Sequence, residues 1–170
     1  MIKKESLGFL EFRNHYETIH APLATKLLNP PFYERNYVYR TFNGNPEIGS
    51  ISIFKYPDMI ALNKVNTILK STEAIPLRDD ELKFMEPHRN YFYLVDEKII
   101  NHTNDQEKIF IVVKELSNFV DLGESVLSEN YYEKSVIIEC TSKVALDSLI
   151  HRKELEIYLC SSNPNDQLKH

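Results

Sequence analysis

Glycine is scarce in this sequence, and so are the loop motifs that depend on it. Loops that cradle the phosphates of nucleotides or flavins need closely spaced glycines, because the backbone has to approach the phosphate. The 170-residue chain has only four glycines, and they lie far apart, at Gly8, Gly44, Gly49 and Gly123. We therefore expect no nucleotide or flavin held by a known loop motif, and no cofactor.

Cysteine is equally scarce, with only Cys140 and Cys160. Each ends an apolar, strand-like run, a placement typical of small buried side chains and unlike a disulfide framework. We therefore expect a reduced, cytoplasmic setting.

The sequence also lacks a long apolar run and an excess of basic residues. No stretch approaches the roughly 18 apolar residues of a membrane span, and the start, Met1 to Glu5, lacks the apolar core of a signal peptide. The net charge of −5 argues against a nucleic-acid surface, which needs clustered lysine and arginine. We expect a soluble protein that is not exported, with neither a membrane nor a nucleic acid as partner.

What the sequence does contain is a periodic pattern of helices and strands. Apolar residues recur at the spacing of one helix face, at Phe9, Phe12, Tyr16, Ile19, Leu23 and Leu27. Gly8 is placed to cap this helix, Glu11 to complement its positive end, and Pro22 to kink or loosen its last turn.

The elements that follow give an α+β pattern. Up to Ile100 they are strand Tyr33–Phe42, turn Asn43–Pro46, strand Ile48–Tyr56, helix Met59–Leu69, a shorter helix Asp79–Met85 and strand Tyr91–Ile100. This is the ferredoxin-like order without its first strand.

A second unit with the same pattern in shorter form is predicted after the polar joint Asn101–Gln106. It comprises strand Lys108–Lys114, a helix through Phe119 to Leu127, strand Ser135–Thr141, helix Lys143–His151 and strand Leu155–Cys160. We expect one unit at residues 1–103 and an abbreviated second unit, packing on the first, at residues 107–170.

His20 is the residue best suited to proton transfer. It borders the inward face of the first helix, and an imidazole with an ordinary pKa near 6.5 can accept or donate a proton at working pH. The alternative is a structural histidine that hydrogen-bonds a backbone carbonyl near Pro22. Tyr16, one turn earlier, either donates its phenol to a substrate oxygen or serves as a core aromatic residue.

A metal site is not expected. His15 and His20 are five residues apart, which places them about 140° apart around a helix, so they do not form a metal-gripping pair on one face. The other histidines do not cluster in the sequence; they are His88, His102, His151 and His170.

One face of the predicted strand Tyr33–Phe42 carries Arg35, Tyr37 and Tyr39. This lining suits a ring-bearing ligand with an oxygen or carboxylate substituent. The alternative is a sheet face that is buried in a dimer.

The run from Phe9 to Ala24, FLEFRNHYETIHAPLA, resembles the signature of the EthD-domain family. In that signature a helix of the form E-F-x-x-x-Y/W-x-x-x-H ends in H-A-P-L. Arg35–Val38 on the next strand is similar to a further block of the family, and so is Asp80–Met85, before the strand that runs through Glu97. The resemblance covers about Met1 to Ile100 and is weak or absent beyond that point.

The resemblance implies a ferredoxin-like antiparallel sheet with helices on one face, paired with a second sheet into a dimeric α/β barrel. It implies a small-molecule pocket with His20, Tyr16 and Asp80 as catalytic residues and with substrate-binding residues Arg35, Tyr37, Tyr39, Phe12 and Phe84. For Asp80 the alternative is the N-cap of the short helix that follows it. A homodimer is the expected assembly, although two half-units within one chain would form the same barrel.

Members of that family begin with a full apolar strand, for which this chain offers only Met1 and Ile2. Without such a strand, two inner strand edges would be unpaired. Either the true start lies upstream, or another strand such as Lys108–Lys114 fills the gap.

Three functions are compatible with the resemblance. The first is a cofactor-independent oxidoreductase, or its accessory, in the degradation or tailoring of ether, aromatic or polyketide-like compounds. The second is a cyclase, isomerase or decarboxylase that works by acid–base catalysis. The third is a non-catalytic protein that binds a small apolar or aromatic molecule. Because no redox cofactor motif is present, any oxidation would use the substrate's own electrons or a partner protein.

Overall fold

A computed structural model describes residues 1–101, 107–119, 122–141, 144 and 146–162. By their internal contacts they fall into two compact units that are not consecutive in the sequence. The first unit contains Met1–Arg35 and Glu47–Asn90, and the second contains Asn36–Pro46 and Tyr91–Ser162. The predicted boundary, between residues 103 and 107, lies outside the described residues.

The helices lie in the first unit, and the predicted α+β class is confirmed. They are α1 (Phe9–His15), a π-helical turn (Tyr16–His20), α2 (Ala21–Leu28), α3 (Met59–Lys70) and α4 (Ile75–Phe84). The predicted cap of α1 is also confirmed, since Gly8 is the N-cap and its backbone N–H donates to the Glu11 carboxylate at 2.8 Å. Within the described ranges, no helix has both the length and the apolar character that crossing a membrane requires.

The first helical segment changes pitch at the π-helical turn. The backbone N–H of Ala21 bonds the carbonyl of Tyr16, five residues back instead of four. Pro22 gives the physical reason, because proline lacks an N–H and its ring would clash with the carbonyl four residues earlier in a regular α-helix. The loosening predicted for the last turn therefore lies before Pro22, in the middle of the segment.

The wide turn decides which side chains of this segment are buried. Those at Phe12, Tyr16, His20 and Ala24 are buried at a regular spacing of four residues, and Ala21, next to His20, is buried as well. In a regular α-helix each four-residue step drifts by about 40° around the axis, whereas a π turn takes up one more residue and offsets that drift. Ile19, which was predicted to face inward, is 44% exposed, so that prediction is wrong.

The N-terminal residues bridge two other segments of the first unit. Ile2 forms an antiparallel bridge with Ile48, and Lys3 forms one with Met85. The Ile2 side chain is fully buried. The short apolar start of the chain is therefore paired on both of its edges.

The described residues contain seven strands. They are β1 (Phe32–Phe42), β2 (Ser50–Lys55), β3 (Asp96–Ile99), β4 (Glu107–Val113), β5 (Val126–Tyr132), β6 (Ser135–Thr141) and β7 (Leu155–Ser162). They are hydrogen-bonded in the order β2, β1, β7, β4, β6, β5, β3, and β1–β7, β4–β7, β4–β6, β5–β6 and β3–β5 are antiparallel pairs. Because β4 lies between β7 and β6, the expectation that this strand replaces a missing first strand is wrong.

The core of the second unit lies on one face of its strands. It is formed by Ile109, Ile111, Val113, Val126, Val136, Ile138, Cys140, Val144, Leu149, Leu155 and Ile157. Alternate residues of β4, β6 and β7 supply most of it, as expected for strands with one buried face. Cys140 and Cys160 are free and buried, which confirms the prediction that they are small buried side chains.

Two helices predicted in the second unit do not form in the residues that the structure describes, so these predictions are wrong. Where a helix was expected from Phe119 to Leu127, the chain forms the 3-10 turn Gly123–Ser125 and the start of β5. Where helix Lys143–His151 was expected, it forms the 3-10 turn Leu146–Ser148. The strand predicted at Tyr91–Ile100 is reduced to β3.

Candidate functional site

Two histidines and one aspartate form the centre of the candidate site. His15 Nε2 lies 2.9 Å from Asp80 Oδ1, and His20 Nδ1 lies 3.2 Å from Asp80 Oδ2. An ionised carboxylate only accepts hydrogen bonds, so each of these ring nitrogens donates an N–H. Asp80 is 1% exposed, so the two imidazoles take the place of water around its charge.

The π-helical turn makes this arrangement possible. His15 ends α1, and His20 ends the π-helical turn five residues later. Five residues complete about one turn of a π-helix, so the two rings come to the same side of the segment. The expectation that His15 and His20 point apart is therefore wrong, because they share one carboxylate.

Asp80 lies inside α4 and does not cap it. The helix begins at Ile75, and its N-cap is Ala74, so the N-cap alternative for Asp80 is excluded. Lys83 Nζ lies 3.7 Å from Asp80 Oδ1, but the Lys83 side chain is 65% exposed and such a pair contributes little. The imidazoles of His15 and His20 are thus the closer and better-buried partners of Asp80.

His20 is held as a neutral imidazole with a defined tautomer. Burial lowers the pKa of His20 below its ordinary 6.5, and the hydrogen bond and charge of Asp80 oppose part of that shift. Because Nδ1 donates to Asp80, the lone pair of the ring lies on Nε2. The structural alternative had placed a backbone carbonyl beside this ring, whereas its hydrogen-bond partner in the described chain is Asp80.

Tyr16 packs its ring against His20 and forms hydrogen bonds with two further hydroxyl groups. The Tyr33 hydroxyl donates to the Tyr16 hydroxyl at 2.7 Å, and Tyr16 lies 2.9 Å from Ser52 Oγ. Burial raises the pKa of Tyr16 to about 12, and the bonds to Ser52 and Tyr33 lower it in part. The phenol keeps its proton at neutral pH, so it can donate a hydrogen bond but does not act as a base.

Phe84 packs against both histidines and against the aromatic side chains of the first helical segment. Its ring centroid lies 4.8 Å from those of His15 and His20, and 5.5 Å from that of Phe12. The rings of Tyr16 and His20 are 5.2 Å apart, edge to face. These apolar faces exclude water and strengthen the hydrogen bonds to the Asp80 carboxylate.

Arg35, a predicted ligand-binding residue, is held by a carboxylate of the π-helical turn. Its Nε and Nη2 donate to the two Glu17 oxygens at 3.0 and 2.8 Å, a bidentate pair. The guanidinium also lies over the ring of Tyr33. Glu17 and Tyr33, with His15 and Ser52, were not predicted as site residues.

Tyr37 and Tyr39 belong to the second unit. Tyr37 is fully buried, whereas Tyr39 is 48% exposed. The register of β1 against β7 shifts between Val38 and Arg40, so Tyr39 is the extra residue of a bulge and the predicted alternation is interrupted there. The residues that contact His20 and Asp80 all belong to the first unit.

The described side chains contain no group of three or more histidine, cysteine, aspartate and glutamate residues arranged to hold a metal ion. His102 and His170 lie outside the described residues. Among the described residues, His15 and His20 each form a hydrogen bond to Asp80.

Comparison of the chain with protein-family models, with curated proteins and with solved structures gives no match. The resemblance to the EthD-domain family therefore rests on the sequence motifs alone.

Proposed function

We propose that this chain is an EthD-like small-molecule enzyme that transfers protons at His20, as a cyclase, isomerase or decarboxylase does. The observation that carries the proposal is the buried Asp80 carboxylate, shared between His15 and His20. A carboxylate that accepts the Nδ1–H of a histidine fixes the tautomer and orients Nε2 as a base. It also stabilises the imidazolium that forms once the proton has been taken.

Acid–base chemistry is favoured because the residues of the site supply it themselves. The lowered pKa of His20 leaves the ring unprotonated at neutral pH, which is the state a general base requires. The buried rings of Phe12 and Phe84 suit a small apolar or aromatic substrate. An oxidoreductase or accessory role stays a prediction of the family resemblance, in which any oxidation uses the substrate's own electrons or a partner protein.

A ferredoxin-like fold of the first unit is part of the same proposal. In such a fold the first strand lies between two others, and the bridges Ile2–Ile48 and Lys3–Met85 give the N-terminal residues neighbours on both edges. A homodimeric barrel remains a proposal drawn from the family resemblance. The free, buried Cys140 and Cys160 favour a reducing, cytoplasmic setting.

Hydrogen–deuterium exchange of carbon-bound protons tests the proposal. We would incubate 2-tetralone, acetophenone and acetylacetone with the protein in deuterium oxide and follow the loss of the proton signals beside the carbonyl by NMR. The wild-type protein should accelerate exchange of at least one ketone, and His20→Gln should lose about 100-fold or more of that acceleration. His88→Gln, at an exposed histidine, is the matched control and should exchange like wild type.

Two outcomes would count against the proposal. Equal exchange by wild type and by a folded His20→Gln variant would remove His20 as the base. No acceleration of any of the three ketones would favour the non-catalytic binding protein.

A further inference from the structure

The hydroxyl groups beside His20 form a row that ends on strand β2. Tyr33 donates to the Tyr16 hydroxyl, and the Tyr16 hydroxyl and Ser52 Oγ lie 2.9 Å apart in a hydrogen bond in which either hydroxyl can donate. A hydroxyl has one proton to donate and can accept at the same time. When Tyr16 donates this hydrogen bond, Ser52 retains its own proton for a further acceptor.

Ser50 supplies a second hydroxyl that lacks an acceptor. Its side chain is completely buried, and its Oγ has no hydrogen-bond partner among the described residues. Buried hydroxyl groups in folded proteins are nearly always hydrogen-bonded, so one without a partner calls for a ligand or a water molecule. Ser50 is therefore an independent indication that something polar binds at this strand.

Ser50 and Ser52 lie on the same face of β2. Side chains two residues apart in a strand point to the same side of the sheet. Phe54, two residues further along, stacks on the ring of Tyr33 at a centroid distance of 4.1 Å. The face that carries the two serines is therefore the face that meets Tyr33, and through Tyr33 the Tyr16 hydroxyl.

We propose that Ser50 and Ser52 form an oxyanion site that receives the carbonyl oxygen of the substrate, which makes the substrate class a small enolisable ketone or aldehyde. The proposal rests on the proposed function of His20 and names its substrate. Tyr16 contacts both the proposed base and the proposed oxyanion site, because its hydroxyl contacts Ser52 and its ring packs edge-on against His20. Donors aimed at the oxygen on which charge develops are a major source of rate enhancement.

The chemical step balances without any further reactant. His20 Nε2 takes a proton from the carbon beside the carbonyl, the electron pair of that C–H bond forms the C=C bond of an enolate, and the carbonyl π pair moves onto oxygen. Ser50 and Ser52 donate hydrogen bonds to that oxygen. Return of a proton to carbon from the protonated His20 gives the ketone again, or its isomer if a different carbon is protonated.

The charges around the serines favour a carbonyl group over a carboxylate or phosphate. Ser50 and Ser52 are uncharged donors, and anionic groups are usually bound by arginine or lysine. Arg35, the cation that lies over Tyr33, is already held by both oxygens of Glu17. The structure therefore provides hydroxyl donors for a neutral ligand that becomes charged only during the reaction.

Binding of 4-nitrophenolate, a stable mimic of an enolate oxygen, tests the site directly. We would titrate it into wild-type protein and follow its absorbance and the backbone NMR signals of β2. Ser50→Ala and Ser52→Ala should each weaken binding about tenfold, the loss expected for one hydrogen bond to a charged oxygen. Ser6→Ala, at an exposed serine, should bind like wild type.

The stability of Ser50→Ala gives a second readout. Because Ser50 Oγ lacks a partner in the free protein, its removal should leave Tm unchanged or raise it while weakening the phenolate complex. A fall in Tm of several degrees would show that the hydroxyl has a structural partner and would overturn the assignment. Unchanged phenolate binding by both alanine variants, or no binding by wild type at millimolar concentration, would also overturn it.

The two proposals fail in different ways. If ketone exchange depends on His20 but the serine variants bind and exchange like wild type, the oxyanion site is wrong and proton transfer at His20 stands. If phenolate binding depends on the serines but no ketone exchanges, the oxyanion site stands and catalysis by His20 is wrong.

Discussion

Replacing Asp80 with asparagine tests the centre of the site without changing its size. The substitution keeps the shape of the side chain but turns one acceptor oxygen into an amide nitrogen, which only donates. Since His15 and His20 donate to different oxygens of Asp80, one of the two imidazoles would then face a donor. That imidazole either loses its hydrogen bond or changes tautomer and accepts from the neutral amide, so in both cases a hydrogen bond to a charged oxygen is lost.

The size of the effect follows from the burial of the partners. The side chains of His20 and Asp80 are 4% and 1% exposed, so water cannot replace the lost bond. Hydrogen bonds to charged groups contribute about 1.5–3 kcal/mol, and we expect Asp80→Asn to lower the free energy of unfolding by about 2 kcal/mol. Asp79→Asn, at the exposed neighbouring position of α4, should change it by less than about 0.5 kcal/mol.

Urea unfolding followed by far-UV circular dichroism at neutral pH measures this difference. The midpoint of Asp80→Asn should lie clearly below that of Asp79→Asn, with similar slopes. If the two variants unfold at the same urea concentration, the carboxylate does not hold the two imidazoles, and the geometry that supports His20 as a base is refuted.

Two further predictions concern ionisation. Because burial lowers the pKa of His20, the folded protein binds that proton more weakly than the unfolded chain does, so stability should fall as the pH drops below about 6.5. His20→Gln should lose that part of the fall in urea unfolding at neutral and mildly acidic pH; an identical pH dependence in both proteins would contradict this reasoning. Burial also raises the pKa of the Cys140 thiol to about 12, and Cys160 is fully buried, so neither should react with a thiol reagent until denaturant is added. Rapid labelling of a cysteine in the native protein would contradict that burial.

The strands with a regular alternation could be predicted from the sequence almost to the residue. β6 spans Ser135–Thr141 as predicted, because Val136, Ile138 and Cys140 alternate into the core of the second unit. The helix expected from Phe119 to Leu127 fails for a local reason. Gly123 adopts φ +57°, a left-handed conformation that ends a helix and suits glycine.

The candidate site could be predicted only where its residues follow a motif. His20, Tyr16 and Asp80 were singled out from the sequence, and the structure brings them into contact in the first unit. A constant helical pitch would turn His15 away from His20, but Pro22 signals a departure from that pitch. Ser52 could not be found, because no local pattern shows which strand hydroxyl will meet a helix.

The π-helical turn lets one helical segment keep both its proline and its paired histidines. Without the extra residue, His15 and His20 would stand four residues apart and would still share one face of a regular α-helix. The ring of Pro22 would then clash with the carbonyl four residues before it. The extra residue therefore accommodates Pro22 while both imidazoles stay on the side of Asp80, and homologues with a proline at this position should carry the same one-residue insertion.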